Sequence, residues 1–119
     1  MLPVVVRWLG FDAAIRFRLF KCERWYESQV QLVQSGGVPG EQKLGCGLRT
    51  EVDPGPPVRL AFSWGGGILD NWYGIVFDPT GNVLKVNDAT QARQVSMLFG
   101  GRMTYAEHVW GPWYFCSFT

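Results

Sequence analysis

Trp72-Tyr73-Gly74-Ile75-Val76-Phe77-Asp78-Pro79-Thr80-Gly81-Asn82-Val83-Leu84-Lys85-Val86 reads as a β-hairpin. Aromatic and β-branched residues fill both arms, as a half-buried pleated surface prefers. Between the arms, Asp78 suits the first position of a type I turn, and Pro79 brings the φ that the second position needs. Gly81 can take the positive φ that starts a second arm with a bulge. An antiparallel sheet is therefore expected to dominate the second half of the chain.

Working outward, Val58, Leu60, Phe62 and Trp64 alternate with Arg59, Ala61 and Ser63, the period of a half-buried strand. Gly65-Gly66-Gly67 ends it. That run lacks the GxGxxG spacing and a following Lys-Ser/Thr, so it reads as a connection and not as a phosphate loop. After the hairpin, Asp88 or Thr90 can cap a short helix near 90–99, with Ala92, Val95 and Phe99 on one stripe and Gly100-Gly101 stopping it. Residues 102–110 and 113–118 read as a second hairpin that turns at Gly111-Pro112.

In the first third, Ile15, Leu19, Cys22, Tyr26, Val30 and Val33 recur at spacings of three and four. This predicts a helix over 12–33, with Asp12 as its cap. Residues 14–20 also alternate with period two, but the length of the pattern favours the helix. Residues 35–57 are rich in breakers, with a short edge strand expected at 42–48. The fold class is then α+β: an antiparallel sheet of about five strands, with a longer N-terminal helix and a short one near 90–99 packed on one face. An all-β barrel or sandwich is the alternative. With 119 residues, the chain reads as a single domain, 1–119, with a loop-rich connection at 35–57.

Eleven basic and ten acidic residues leave a net charge of +1, so overall balance gives no sign of a nucleic-acid partner. The first quarter is locally basic, with Arg7, Arg16, Arg18, Lys21 and Arg24 interleaved with Trp8, Phe17 and Trp25. Nucleic-acid or anionic-surface contact by that segment is one reading. A solvated helix face, diluted by Asp12, Glu23 and Glu27, is the simpler one. Residues 1–10 lack the basic start and small-residue cleavage site of a signal peptide, and no apolar run reaches the roughly 18 residues that span a bilayer. A soluble, cytoplasmic chain is expected. Cys22, Cys46 and Cys116 are few and widely spaced. They read as buried free thiols of a reducing compartment, with one bridge and one free thiol as the alternative.

One local resemblance implies a different pairing. Gln29-Val30-Gln31-Leu32-Val33-Gln34-Ser35-Gly36-Gly37 resembles the first strand of an antibody heavy-chain variable domain, and Tyr114-Phe115-Cys116 resembles that family's second-cysteine motif. The resemblance covers about twenty residues. It implies an immunoglobulin sandwich with Cys46 bridged to Cys116 across Trp64. The chain departs from that pattern at both ends: a helical pattern precedes Gln29, and only Ser117-Phe118-Thr119 follows Cys116, leaving no final strand.

For chemistry, the one histidine, His108, stands beside Glu107 and near Cys116. A base close to a thiol lowers its effective pKa and makes a nucleophile. With a two-residue turn at Gly111-Pro112, however, Val109 faces Tyr114, and His108 lies on the face of Trp110, Trp113 and Phe115. No spacing of His, Cys, Asp and Glu reads as a metal site, no GxSxG elbow occurs, and nothing calls for a cofactor. The aromatics stand out more. Trp72, Tyr73, Trp110 and Trp113 lie at hairpin ends, with Asp70 and Asn71 as polar neighbours. Such rings can form a platform for a sugar, a proline-rich peptide or a partner protein. The primary expectation is a small non-enzymatic binding module. A small enzyme using His108 with Glu107 or Cys116 is the alternative from another class.

Overall fold

A computed structural model describes residues 2–66 and 71–119, with 2–11 described as backbone alone. Helix α1 spans Leu2–Gln34. Strands follow at Arg49–Asp53 (β1), Arg59–Gly66 (β2), Trp72–Phe77 (β3), Met103–Trp110 (β4) and Trp113–Phe118 (β5). They form one antiparallel sheet in the order β1-β2-β3-β5-β4. The α+β class stands. β5 inserts between β3 and β4, so the hairpin made last in the chain builds one side of the sheet and leaves β4 at its edge.

One face of α1 supplies Ile15, Leu19, Cys22, Tyr26 and Val30 to the core, the positions that the spacing of three and four selects. They pack on Leu60, Phe62, Trp64, Ile75, Trp113 and Phe115. Tyr26 anchors the contact. Its hydroxyl accepts from the Trp64 indole N–H at 2.7 Å and donates to the Cys46 carbonyl. Burial pushes the Tyr26 pKa up to about 12, against the opposing pull of the Trp64 hydrogen bond and the nearby Arg18 charge. The helix begins well before Asp12. That residue is therefore not its cap but pairs with Arg16 one turn on, at 2.9 Å.

Three expectations are corrected here. The second arm of the first hairpin is not a strand: Asn82–Asn87 forms a 3-10 helix, which buries Val83 and Val86 three residues apart. The turn before it does form, with Gly81 at φ 72°. Residues 90–99 make only a short 3-10 turn at Ala92–Gln94 within irregular chain. Nor do the two helical segments share a face. The stretch from Val83 to Phe99 covers Ala61, Val76, Tyr114, Cys116 and Phe118 on the side away from α1. The sheet is thus the middle layer of three.

The edge strand expected at 42–48 lies instead at β1, a mostly charged segment, as exposed edges commonly are. At the other edge, the Asn87 side chain donates to the Ala106 carbonyl at 2.6 Å and accepts from the Ala106 N–H at 3.2 Å. This amide occupies backbone groups of β4 that would otherwise face an open edge.

The antibody-like reading fails at its first strand, because residues 29–34 belong to α1. Its disulfide fails as well. Cys46 is bonded to Cys22, and Cys116 is a buried free thiol. The reading of three free thiols is corrected by the same bond. Among the described residues, no helix is long and apolar enough to cross a membrane.

Gly74 sits where β3 passes the irregularity in β2 between Ser63 and Gly65. A Cβ there would lie 2.0 Å from the Phe62 carbonyl oxygen. Because the obstacle is the backbone of the neighbouring strand, it cannot rotate away. Gly74→Ala is expected to lower the unfolding free energy by roughly 1–3 kcal/mol. A urea midpoint equal to that of the parent would contradict this packing.

Candidate functional site

The β4–β5 turn and the C-terminal half of α1 enclose a groove of about 380 Å³. Gly111 makes the turn, with a positive φ of 52°. Two hydrogen bonds steady it: the Asp78 N–H donates to the Pro112 carbonyl at 2.8 Å, and His108 Nε2 lies 3.0 Å from the Gly111 carbonyl. A carbonyl only accepts, so Nε2 carries the proton in this contact.

Trp110, Trp113 and Phe77 form the aromatic wall of the groove, and Glu23 and Glu27 face it from α1. Trp110 is partly exposed, and its indole N–H donates to Glu23 Oε2 at 3.0 Å. The Arg16 guanidinium stands 5.8 Å from the Trp110 ring centre. Trp113 is buried among Tyr26, Phe62 and Phe77, so only its margin reaches the groove. Glu27 is exposed and has no ion pair among the described residues. By composition, Glu23 and Glu27 read only as dilution of a basic segment. Their spacing of four was the available sign that both lie on one side of the helix.

The other proposed ligand residues do not join this groove. Trp72 and Asn71 line a separate cleft of about 620 Å³ on the far side of the sheet, with Arg49, Glu51 and Ser63. Trp72 is only 8% exposed. It stacks on Phe118 with ring centres 3.7 Å apart, and the Arg49 guanidinium lies 5.2 Å from its ring centre. Its ring is committed to packing. Tyr73 is 42% exposed but points to the α1 side, next to Phe115. Asp70 lies outside the described residues.

The candidates for catalysis separate too. A register shift between His108 and Trp110 pairs His108 with Tyr114. This corrects the expected pairing of Val109 with Tyr114, and it puts His108 on the Tyr114–Cys116 face. The His108 and Tyr114 rings lie 5.1 Å apart. Cys116 is nevertheless closed to solvent. Its thiol is fully buried, and burial, reinforced by the Asp78 charge, holds its pKa far above the ordinary thiol value. Glu107 pairs with Phe115 on the opposite face from His108. Its Oε1 accepts from the Tyr105 hydroxyl at 3.3 Å, while Oε2 is buried without a hydrogen-bond partner. Burial and the Glu107 charge raise the Tyr105 pKa.

Two arginines of the basic first quarter have partners within the protein. Arg18 Nε donates to the Gly45 carbonyl at 3.2 Å, and its guanidinium lies 4.6 Å from the Trp64 ring centre. Arg16 is held by Asp12 and Trp110. Among the described residues, no three His, Cys, Asp or Glu side chains gather as metal ligands would. No protein-family model, no curated protein and no solved structure matches this chain.

Proposed function

We propose that this protein is a small non-enzymatic binding module whose site is the groove between α1 and the β4–β5 turn. The guest is a cationic side chain, lysine or arginine, on a peptide or protein partner. One observation carries the reading: the partly exposed Trp110 ring stands in the same groove as the carboxylates of Glu23 and Glu27. A cation over an indole face is attracted by the ring quadrupole, and a carboxylate beside it adds a charge-assisted hydrogen bond. Arg16, already near Trp110, supports the fit of a guanidinium to that ring. The volume lies within the range of small-ligand sites. The Cys22–Cys46 bond supports placing the protein in an oxidising compartment, where such bonds persist.

The test is a titration of the full chain with a hexa-arginine peptide, following the Trp110 and Trp113 indole N–H signals by NMR. Saturable shifts at both are expected. Glu27→Gln should weaken binding about tenfold, the loss of one charge-assisted contact. Glu51→Gln, on the other face of the sheet, should leave it unchanged. Unmoved indole signals would refute the proposal.

A further inference from the structure

A different surface of α1 is apolar and open to solvent. Phe17 is 65% exposed and Phe20 is 73% exposed, although both belong to the helix whose other face packs on the sheet. Residues 17, 20, 21 and 24 recur at spacings of three and four, so Phe17, Phe20, Lys21 and Arg24 share the outward face. The Lys21 ammonium lies 5.7 Å from the Phe17 ring centre. Neither Lys21 nor Arg24 has a carboxylate partner among the described residues.

We propose that this outward face docks on an anionic lipid surface, with the helix lying in the plane of the interface. Two phenyl rings enter the boundary between headgroups and acyl chains, while Lys21 and Arg24 meet the lipid phosphates. An apolar stripe edged by basic residues is the pattern of interfacial helices, and juxtaposed cations favour anionic headgroups. Charge complementarity decides the occupant. The charges between and beside the two rings, Lys21 and Arg24, are positive, with Glu27 only at the far end of the stripe, and a phosphate backbone would leave the rings in water. A nucleic acid would call on Arg16 and Arg18, and both are engaged within the protein.

The experiment is co-sedimentation of the full chain with vesicles of phosphatidylcholine alone, or of phosphatidylcholine with phosphatidylglycerol, at low salt. Retention on the mixed vesicles is expected to be at least about tenfold tighter than on phosphatidylcholine. Phe17→Ser with Phe20→Ser should abolish retention. Both residues are exposed, so the double variant should keep the parent circular-dichroism spectrum. Lys21→Glu with Arg24→Glu should remove the preference for anionic lipid. Equal sedimentation of the parent with and without vesicles would overturn the proposal. So would a double phenylalanine variant that still binds. A concentration-dependent dimer that the same variant dissolves, with no vesicle binding, would assign the face to a second copy and overturn it as well.

Discussion

An Asp78→Ala chain is expected to unfold at a free energy roughly 3–5 kcal/mol below the parent, the usual result of removing one partner from a buried ion pair. Asp78 has no exposed surface. Its Oδ1 accepts from the Thr80 N–H at 2.9 Å, the Thr80 hydroxyl at 2.7 Å and Arg59 Nε at 3.1 Å. Oδ2 accepts from the Val83 N–H at 3.0 Å. Arg59 is buried as well, and it also holds Asp53 at 2.9 Å. The carboxylate therefore ties β2, the turn and the 3-10 segment together. Alanine would strand three donors and part of a buried cation.

The pH dependence has its origin in the same contacts. Burial alone would raise the Asp78 pKa. The Thr80 hydroxyl, the Thr80 and Val83 amides and the Arg59 charge outweigh it, and the pKa is held below the ordinary carboxylate value. A carboxyl whose folded pKa is depressed contributes stability that is complete above its unfolded pKa, about 4. That contribution drains away as pH falls through the folded value. The parent should thus lose stability below about pH 5 along a slope that Asp78→Asn flattens. Urea unfolding followed by circular dichroism at stepped pH reads both effects. Equal slopes for parent and variant would show that Asp78 titrates alike in both states.

The same residue explains what the sequence concealed. Asp78-Pro79-Thr80-Gly81 was legible as a turn because each residue suits its position. The 3-10 segment Asn82–Asn87 was not, because Val83, Leu84 and Val86 fit a strand as well as a single buried stripe. Tertiary context decides between them. The Val83 N–H bonds back to Asp78, and the place beside β3 is filled by β5, which arrives some thirty residues later. The β4–β5 hairpin and the core face of α1 were readable, since both rest on local periodicity. β1 was not, because Val52 is its only apolar residue and an edge strand needs no apolar alternation.

Legibility was lower at the candidate site. Aromatics at the hairpin end marked Trp110 and Trp113, but nothing in the chain order brings Glu23 to Trp110, 87 residues away. The same limit separated Trp72 from them: the rings of the two hairpins proved to lie on opposite faces of one sheet. His108 shows how small a feature redirects a side chain. One irregularity in β4 moves it to the face opposite the one that a plain two-residue turn predicts.

Removing the Cys22–Cys46 bond should have the second large effect, a loss of about 3 kcal/mol in unfolding free energy. The bridged residues are 24 positions apart. The bond therefore restricts the unfolded chain over a loop long enough for the entropy term to matter. In the folded state it fastens the stretch around Gly45 and Cys46 to α1, where Tyr26 and Arg18 already hold the Cys46 and Gly45 carbonyls. Those contacts survive replacement by Cys22→Ala with Cys46→Ala, so the native arrangement should persist and the cost should fall chiefly on the equilibrium. Thiol titration separates the cases. The parent should give no reactive thiol when native and one, Cys116, after denaturation. The double variant should give the same counts with a lower urea midpoint. Three thiols in the denatured parent would mean that the bond does not form, and an unchanged midpoint would mean that it restrains nothing the folded chain does not already restrain.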